Sequence, residues 1–464
     1  SESVKKAMWW TVSATFKTVD RKTPYILPPS MDDWLPEDHL ARFIVEVVSM
    51  LDLEPIRAAY AGRGSEAYDP SVLLSLLFYG YATRTFSSRR IEAATYDSVA
   101  FRYIVAGSHP DHDTIASFRK RFLVEINAFF VQILQIAHQM GFCKVGTVSL
   151  DGTKVKANAS KHRALSYKHA EKLQRQLESE VRHLLDLAEE ADATDLPPEM
   201  DIPKELKRRR DRLKVLAEAK AEIERRAHKR HERDMEAHEE KMAQRKRVEE
   251  QTGKKIRGRT PRAPEPEVRD SDQINLTDEE SRIMPVSGGG FEQAYNCQAA
   301  LDIESGLILT HRVSQSPVDR KELAHAVEAL TSLPEELGRP EALLADAGYF
   351  SRPNVELCDR KDITPFISFG REQHNLALED RWRCPPDPET EDPVALMKHR
   401  LKTPEGRKLY GRRKATIEPA FGVIKQVMGF RQFLLRGLRA VKGEWSLVSS
   451  AFNLKRMHRL YVLA

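Results

Sequence analysis

The sequence predicts a mixed α/β protein with a helical N-terminal region and a charged helical insertion. Apolar residues recur at the helical period in the first third of the chain, and short apolar strands alternate with helical segments in the last half. Between them lies a segment with much charge and almost no aromatic residues. A chain of 464 residues is long enough for about three domains. We expect an arm at 1–30, a helical domain at 31–142, and an α+β domain at 143–464 that an insertion at 161–270 interrupts.

Helix signals mark the N-terminal region. Apolar residues at 40–48 follow the helix period, and a second, strongly apolar helix is expected at 70–79. Asp69 is a suitable N-cap for it, and Pro70 suits the first helical position. A further helix is expected at 113–122. Such a helical bundle suits DNA binding as well as it suits packing or dimerisation.

The insertion has the composition of exposed helices. It contains 29 Lys/Arg and 25 Asp/Glu, too many charges for an ordinary core. It nevertheless carries two apolar stripes at helical spacing, separated by a proline-rich turn at 195–203. We expect an antiparallel helical hairpin followed by a disordered basic run at 253–262. The sequence leaves open whether the hairpin contacts DNA or another subunit. The stripe residues are Leu173, Leu177, Val181, Leu184, Ala188, and Leu206, Leu213, Leu216, Ile223, Ala227.

The remaining segments alternate between strands and helices. A hairpin is expected from 292–301 and 306–313, with its turn at Gly306. The other expected elements are a strand at 147–151, a helix at 319–330, strands at 342–345 and 364–369, and a helix at 404–428.

Two aspartates follow apolar strands directly. Asp151 follows the run 145–150, and Asp346 follows 342–345. A carboxylate at the end of a buried strand is costly to desolvate unless it is paired. Either residue could simply be a turn or N-cap aspartate. Asp302, Asp319 and Glu292 are rival carboxylates without this strand-end position, and Asp319 has the sequence context of an N-cap.

A glutamate and a lysine lie seven residues apart near the C-terminus, at Glu418 and Lys425. In a continuous α-helix this spacing places both on one face. The carboxylate could hold a divalent cation while the ammonium contacts a phosphate. The simpler interpretation is a pair of solvated surface charges.

Together these segments resemble the bacterial insertion-sequence transposases of the DDE type, and most closely the group numbered 1182, which is related to those numbered 4 and 5. The resemblance covers the N-terminal helical region and the catalytic half. Its motifs are Ser-Leu-Asp151-Gly-Thr-Lys-Val-Lys-Ala-Asn-Ala-Ser-Lys-His, Asn275-Leu-Thr-Asp-Glu-Glu-Ser-Arg-Ile-Met, Tyr295-Asn-Cys-Gln-Ala-Ala-Leu-Asp, Ala-Asp346-Ala-Gly-Tyr-Phe-Ser, and the segment 413–456.

The resemblance implies an RNase H-like catalytic core in which Asp151, Asp346 and Glu418 are the catalytic, metal-binding residues. Their hard oxygen ligands suit Mg²⁺, with Mn²⁺ as a substitute. It also implies that Lys425, Arg413 and Tyr410 contact DNA phosphates. The interval from Glu418 to Lys425 matches that of the relatives, whereas Arg413 and Tyr410 lie one residue too far upstream.

Charge supports a DNA partner. Residues 398–464 contain 16 Lys/Arg against three Glu, whereas the whole chain carries a net charge of only +5. A basic segment of this kind favours a phosphodiester substrate, although a solvated surface or an acidic protein partner would also account for it. Arg431 and Arg436 in this segment, and Arg119 and Arg121 in the N-terminal helices, are the further candidate DNA contacts.

Composition narrows the cellular context. No apolar run approaches the roughly 20 residues needed to span a bilayer, and we expect no membrane association. The cysteines Cys143, Cys297, Cys358 and Cys384 form no Cys-x-x-Cys pair, which indicates a reducing compartment and no structural zinc. We therefore expect a cytoplasmic protein, associated with the nucleoid when bound to DNA.

The expected function is a DNA transposase that cleaves transposon ends and joins the 3′-hydroxyl to target DNA. Two metal ions would activate the nucleophile and stabilise the leaving oxygen. The expected partners are the terminal inverted repeats, target DNA and a second copy of the chain in a paired-end complex. The alternatives are a stand-alone metal-dependent nuclease and a non-catalytic DNA-binding or assembly protein on the same fold.

Overall fold

The computed structural model describes residues 30–60, 67–191, 201–253, 255, 258–265, 268–286, 288–370, 385–386 and 388–464. The expected N-terminal arm lies outside this part of the chain except for Ser30. Most of the expected turn at 195–203, part of the basic run at 253–262, and Cys384 also lie outside it.

Helices occupy the N-terminal region, as predicted. Asp69 caps α3, because its carboxylate accepts a hydrogen bond of 2.8 Å from the Ser71 N–H, and Pro70 is the first helical residue. The helix expected at 113–122 is α6. The helices are α1 Leu40–Ser49, α2 Glu54–Arg57, α3 Pro70–Ala82, α4 Ser88–Asp97, α5 Val99–Ile104, α6 His112–Arg121 and α7 Leu123–Gln139.

A mixed sheet forms the centre of the second half. Its core strands lie in the order β6-β5-β1-β7-β8, and β4 pairs with the first residues of β5 on the edge that β6 also uses. β5 is antiparallel to β1 and β6, whereas β1, β7 and β8 are parallel. The strands of this sheet are β1 Val145–Lys156, β4 Arg282–Pro285, β5 Phe291–Asp302, β6 Ile308–Ser314, β7 Gly338–Ala345 and β8 Thr364–Ile367. A separate two-stranded sheet consists of β2 Ala164–Ser166 and β3 Gln273–Asn275.

Further helices pack against this sheet. The expected hairpin and the strands near 342 and 364 are confirmed, but the helix expected at 319–330 begins at Glu322 and leaves Asp319 in the preceding loop. The helix expected at 404–428 is α-helical only to Gly422 and continues as a π-helical turn, Val423–Val427. The helices are α10 Glu322–Thr331, α11 Arg352–Arg360, α12 Pro393–Arg400, α13 Pro404–Gly422 and α14 Leu438–Leu463.

The C-terminal helix α14 joins the two halves of the molecule. It packs against α3 and α7 on one side and β6 on the other, and one apolar core runs from the N-terminal helices to the sheet. Its middle is buried on all sides. Sequence periodicity did not predict α14, because a helix buried all round lacks the polar face that periodicity detects.

A buried carboxylate lies at this junction. Glu444 on α14 has no exposed surface, and its Oε1 accepts a hydrogen bond of 2.8 Å from the Tyr81 hydroxyl of α3. Arg119 of α6 donates to the same hydroxyl at 3.1 Å. The other Glu444 oxygen accepts 3.0 Å bonds from the backbone N–H groups of Leu434 and Leu435. One side chain therefore connects two N-terminal helices with the loop at 429–437.

The insertion is a pair of long helices, α8 Tyr167–Ala191 and α9 Ile202–Thr252. Apolar side chains from both helices, including Leu177, Leu216 and Ile223, form a separate small core. The predicted pairing of the two stripes within the chain is thus confirmed. The 51 residues of α9 extend about 77 Å at 1.5 Å per residue. None of the described helices combines the length and apolar character required to cross a membrane.

Candidate active site

Two neighbouring parallel strands place Asp151 and Asp346 side by side. Leu150 of β1 is in register with Ala345 of β7. Asp151 directly follows Leu150, and Asp346 directly follows Ala345. β1 was expected to end at Asp151, but it runs on to Lys156, and only its pairing with β7 ends at Leu150. The cause is β5, which continues to pair with β1 as far as Lys156. Asp151 thus lies where the two strands separate.

The surroundings of Asp151 raise the pKa of its carboxyl to about 6. Burial is the largest cause, because it disfavours the charged form, and the nearby charge of Asp346 adds to it. The Gly152 N–H, which donates to Asp151 Oδ1 at 2.7 Å, and the Arg413 guanidinium oppose this shift. A site of this kind favours a positive charge next to the ionised carboxylate.

Asp346 has a structural partner of its own. Its carboxylate accepts a 2.8 Å hydrogen bond from the Gly348 N–H and caps the single 3-10 turn Ala347–Tyr349. The N-cap alternative is therefore correct as a description of its hydrogen bonding. The side chain is still partly exposed next to Asp151, so capping leaves it accessible to a ligand.

Arg413 lies between Asp151 and Glu418. Its Nη1 is 3.1 Å from Asp151 Oδ2, and its Nη2 is 3.8 Å from Glu418 Oε1. The arginine is buried, whereas the Glu418 side chain is 56% exposed. Within the described ranges, no three Asp, Glu, His or Cys side chains are grouped closely enough to hold a metal ion. The expected convergence of all three carboxylates is thus not seen, because the guanidinium occupies the space between two of them.

A π-helical turn follows α13 and contains Lys425. The shared face expected from their spacing assumed a continuous α-helix, but residues 423–427 have i→i+5 hydrogen bonding. Lys425 is partly buried, and its ammonium donates to the Lys154 carbonyl of β1 at 3.1 Å, whereas Glu418 is exposed. Burial lowers the pKa of Lys425. The assumption of a continuous α-helix was therefore wrong.

Tyr410 lies on the same side of the sheet. Its hydroxyl donates to the Ala345 carbonyl at 3.3 Å, next to Asp346, and the Arg413 guanidinium lies 5.9 Å from the centre of its ring. Tyr410 and Arg413 therefore line the site although their spacing from Glu418 differs from that of the relatives.

The other predicted DNA contacts lie in three environments. Arg431 and Arg436 are exposed on the loop at 429–437, and their Nε atoms donate to the carbonyls of Lys425 and Asn158. Arg121 is exposed and lies over the Tyr60 ring. Arg119 is buried, and its guanidinium donates to Tyr81 and to the Phe86 carbonyl. A DNA contact by Arg119 does not fit this structure, because its donors are turned into the protein core.

Asp319 belongs to a polar cluster on the other face of β1. Its Oδ1 accepts hydrogen bonds from Asn296 at 2.6 Å, Gln298 at 2.8 Å and the Lys154 ammonium at 3.2 Å. The Tyr349 hydroxyl donates to the Gln298 side chain. Asp319 is therefore not the N-cap that its sequence context suggested, since α10 begins three residues later.

Sequence reasoning missed this cluster, although one signal was present. Asn296 and Gln298 alternate along β5 and are paired with Lys154 and Gly152 of β1, so all four lie on one face. Alternating polar residues inside an apolar strand indicate such a face. The cluster contacts β1 at Gly152 and Lys154, on the face opposite to Asp151.

Two segments of the chain match known protein families. Residues 29–121 match the family described as "Transposase domain (DUF772)", and residues 382–458 match the family described as "Transposase DDE domain". The chain is a DDE-type transposase. Its partner is therefore DNA, and its chemistry depends on a divalent metal ion. No curated protein and no solved structure was found to match the transposase.

The matched DDE segment of the transposase contains Glu418, Lys425 and Arg413. Asp151 and Asp346 lie outside both matched segments, so their assignment rests on the geometry of β1 and β7. These two carboxylates offer the hard oxygen donors that Mg²⁺ and Mn²⁺ prefer, in a place where burial already favours a cation. The donor set therefore fits a divalent ion held by Asp151 and Asp346.

The backbone of the transposase at Gly152 has no space for a side chain. A Cβ atom there would lie 2.2 Å from Gln298 Nε2 and 2.9 Å from Asp319 Oδ1. We expect Gly152→Ala to lower the free energy of unfolding by about 1–3 kcal/mol, because the polar cluster must shift. Urea denaturation followed by circular dichroism measures this change.

Gly146→Ala is the matched control, since Gly146 lies in the same strand and a Cβ atom there has no neighbour within 4 Å. We expect the control to unfold at the wild-type urea concentration. Equal midpoints for the two variants would show that the close approach at Gly152 has no energetic importance.

Proposed function

We propose that the transposase cleaves the ends of its element and joins the 3′-hydroxyl to target DNA, with Asp151, Asp346 and Glu418 as the metal-binding carboxylates. The observation that carries this proposal is the register of β1 and β7, which brings two aspartates from distant parts of the chain to adjacent strand positions. Carboxylates held next to each other in this way can bind the divalent ions that metal-dependent phosphoryl transfer uses.

The order of the core strands supports an RNase H-like fold for this half of the chain. If β1, β5, β6, β7 and β8 are numbered 1 to 5 along the sequence, their spatial order across the sheet is 3-2-1-4-5. The first three are antiparallel neighbours, and the last two are parallel to the first. We place the catalytic domain at 143–464, with the insertion at 161–270 and the helical domain at 31–142, and we assign the chain to the insertion-sequence group numbered 1182.

The proposed roles of the three carboxylates follow from their positions. Asp151 and Asp346 would hold Mg²⁺, which Mn²⁺ can replace, and the bound ions would activate water or a 3′-hydroxyl and stabilise the leaving oxygen. Without metal, Arg413 supplies the positive charge next to Asp151. Glu418 is the proposed third ligand because it lies in the matched DDE segment and contacts the same guanidinium.

The basic side chains around the site would hold the DNA backbone. Arg431 and Arg436 are exposed beside the end of β1, and Lys425 and Tyr410 lie against β1 and β7. Contacts of this type position DNA without reading its sequence. We propose the terminal inverted repeats and target DNA as the two substrates, and a homodimer on paired ends as the active form, at the bacterial nucleoid.

A joining assay tests this function. The purified chain is incubated with linear DNA that carries the ends of the element encoding it, a supercoiled target plasmid, and Mg²⁺ or Mn²⁺. We expect strand cleavage at the ends and covalent joining of the ends to the plasmid. Cleaved ends without joined product would identify a stand-alone nuclease. Binding without cleavage in either metal would identify a non-catalytic protein.

A further inference from the structure

A charged groove of about 1350 Å³ separates the insertion helix α9 from the sheet. One wall is formed by α9 between Glu222 and Arg233, and the opposite wall by the segment 271–283 with Arg436 and Gly437. Sites for small molecules are typically about 300–1,000 Å³ and largely apolar. A larger groove lined mainly by charged side chains suits an extended polyelectrolyte better.

The acidic side chains of the groove are mostly engaged within the protein. Asp272 is paired with Arg230 at 2.7 Å, and Glu222 with Arg225 and Arg226 at 2.6 Å. The remaining engaged groups are Asp278, which accepts from Tyr295 and the Gly437 N–H, Glu280, which accepts from the Leu438 N–H, and Glu232, which lies 3.4 Å from His228. Arginines thus neutralise Asp272 and Glu222, whereas Asp278 and Glu280 have only uncharged donors. Glu279 is a further exposed carboxylate of the same wall.

Several cations of the groove have no carboxylate partner. Across the part of the chain that the structure describes, no ion pair involves Lys229, Arg233, Arg282 or Arg436, whose recorded hydrogen bonds go to backbone carbonyls and to the Asn158 side chain. Lys229 and Arg233 are exposed, one helical turn apart on α9. The groove is lined by seven Lys/Arg and six Asp/Glu side chains, so its excess of positive charge is small, but Lys229 and Arg233 remain available to an anion.

Arg282 is a partly buried cation of the groove. It lies between the backbone carbonyls of Glu279 and Ser281, and burial together with the nearby charge of Arg226 lowers its pKa to about 10. The nearby carboxylates Glu280 and Glu222 oppose this shift, and Glu222 is also paired with Arg226. A phosphate oxygen is an anion with the geometry that guanidinium groups bind well.

The groove borders the polar cluster around Asp319 and the residues that follow β1. Gln315 and Pro317 line it, and the carbonyl of the intervening Ser316 accepts a 3.0 Å bond from Asn296, which also binds Asp319. At the other wall, Arg436 binds Asn158, two residues beyond the end of β1.

We propose that this groove binds the phosphate backbone of duplex DNA, with Lys229 and Arg233 of the insertion as direct contacts. The inference rests on the proposed function, since it takes DNA as the ligand of the chain. It assigns the helical insertion to DNA contact rather than to contact with a second subunit.

The test compares two double variants of α9. Lys229→Ala/Arg233→Ala removes one lysine and one arginine from the groove, and Lys241→Ala/Arg247→Ala removes the same residue types from exposed positions of α9 outside it. Affinity for a 40-bp duplex of arbitrary sequence is measured against salt concentration in EDTA, so that neither cleavage nor metal binding contributes. Circular dichroism confirms that both variants retain their helices.

We expect the groove variant to reduce the slope of log affinity against log salt by about 2, since each phosphate contact contributes about 0.9. The control variant should keep the wild-type slope. Equal slopes for the two variants would overturn the proposal. An unchanged slope together with loss of self-association of the groove variant, measured by analytical ultracentrifugation without DNA, would also overturn it and identify a second copy of the chain as the occupant.

The joining assay keeps this result separate from the proposed function. If wild-type protein failed to cleave element ends while the groove variant still lost salt dependence, the catalytic proposal would fail and the groove would remain a DNA site. If cleavage and joining succeeded while both variants had the wild-type slope, only the groove assignment would fail.

Discussion

Asp151→Asn is expected to abolish strand cleavage while leaving DNA affinity within about twofold of wild type. The substitution keeps the shape of the side chain but removes a charge that a divalent cation requires. Metal ions contribute several kcal/mol to such reactions, and each 1.36 kcal/mol corresponds to a tenfold change in rate, so the loss should be about a thousandfold or more. Cleavage of labelled end DNA in Mg²⁺ and in Mn²⁺ measures the rate.

Asp359→Asn provides the control, because this aspartate is exposed on α11, outside the candidate site. It removes the same charge from the same half of the chain and should cleave at the wild-type rate. Cleavage by Asp151→Asn within tenfold of wild type would remove Asp151 from the proposed set of metal ligands. Asp346→Asn and Glu418→Gln are tested in the same way, and we expect the same loss.

Glu444→Ala is expected to lower the free energy of unfolding by about 3 kcal/mol or more. Glu444 has no exposed surface, and its removal leaves the Tyr81 hydroxyl and the N–H groups of Leu434 and Leu435 without their acceptor. Arg119 would lose the nearby negative charge that its buried guanidinium needs, and breaking such a buried network costs several kcal/mol. Urea denaturation followed by circular dichroism provides the measurement.

Two further variants provide a partial loss of this network and a control. Tyr81→Phe removes the hydrogen bond to Glu444 and the acceptor of Arg119 but leaves the backbone donors to Glu444 in place, so a smaller loss of about 1–2 kcal/mol is expected. Glu328→Ala removes a glutamate that is exposed on α10 and should change stability by less than about 0.5 kcal/mol. If all three variants unfolded at the same urea concentration, Glu444 would have no special role at the junction.

Local patterns predicted the elements of this fold but not how they meet. The N-cap at Asp69, the apolar strand before Asp346 and the stripes of the insertion each depend on neighbours in sequence, and the structure confirms these elements. The buried helix α14 has no polar face, so periodicity did not predict it. The π-helical turn after Gly422 was missed because the Glu418 to Lys425 spacing fits an ordinary helix equally well.

The candidate site shows the same division. The sequence shows that Asp151 and Asp346 each follow an apolar run, and the register of β1 and β7 places them together, although β1 continues past Asp151. The position of Arg413 between Asp151 and Glu418 depends on how α13 packs against the sheet, which no short motif encodes. Arg119 was assigned to DNA from its charge alone, and only the packing of α6 on α3 shows that its donors face Tyr81.

The small two-stranded sheet at the base of the insertion has a consequence for how this protein can change. β2 and β3 pair from Ala164 with Asn275 to Ser166 with Gln273, so the chain enters and leaves α8 and α9 through adjacent strands. Neighbouring strands lie only about 5 Å apart, and this distance does not depend on the length of the helices beyond them. Helical turns can therefore be added or removed in pairs without altering the register between β1 and β5. In evolutionary terms, the length of the insertion can vary while the mixed sheet stays the same, and an engineer could graft a different helical hairpin onto the same stem.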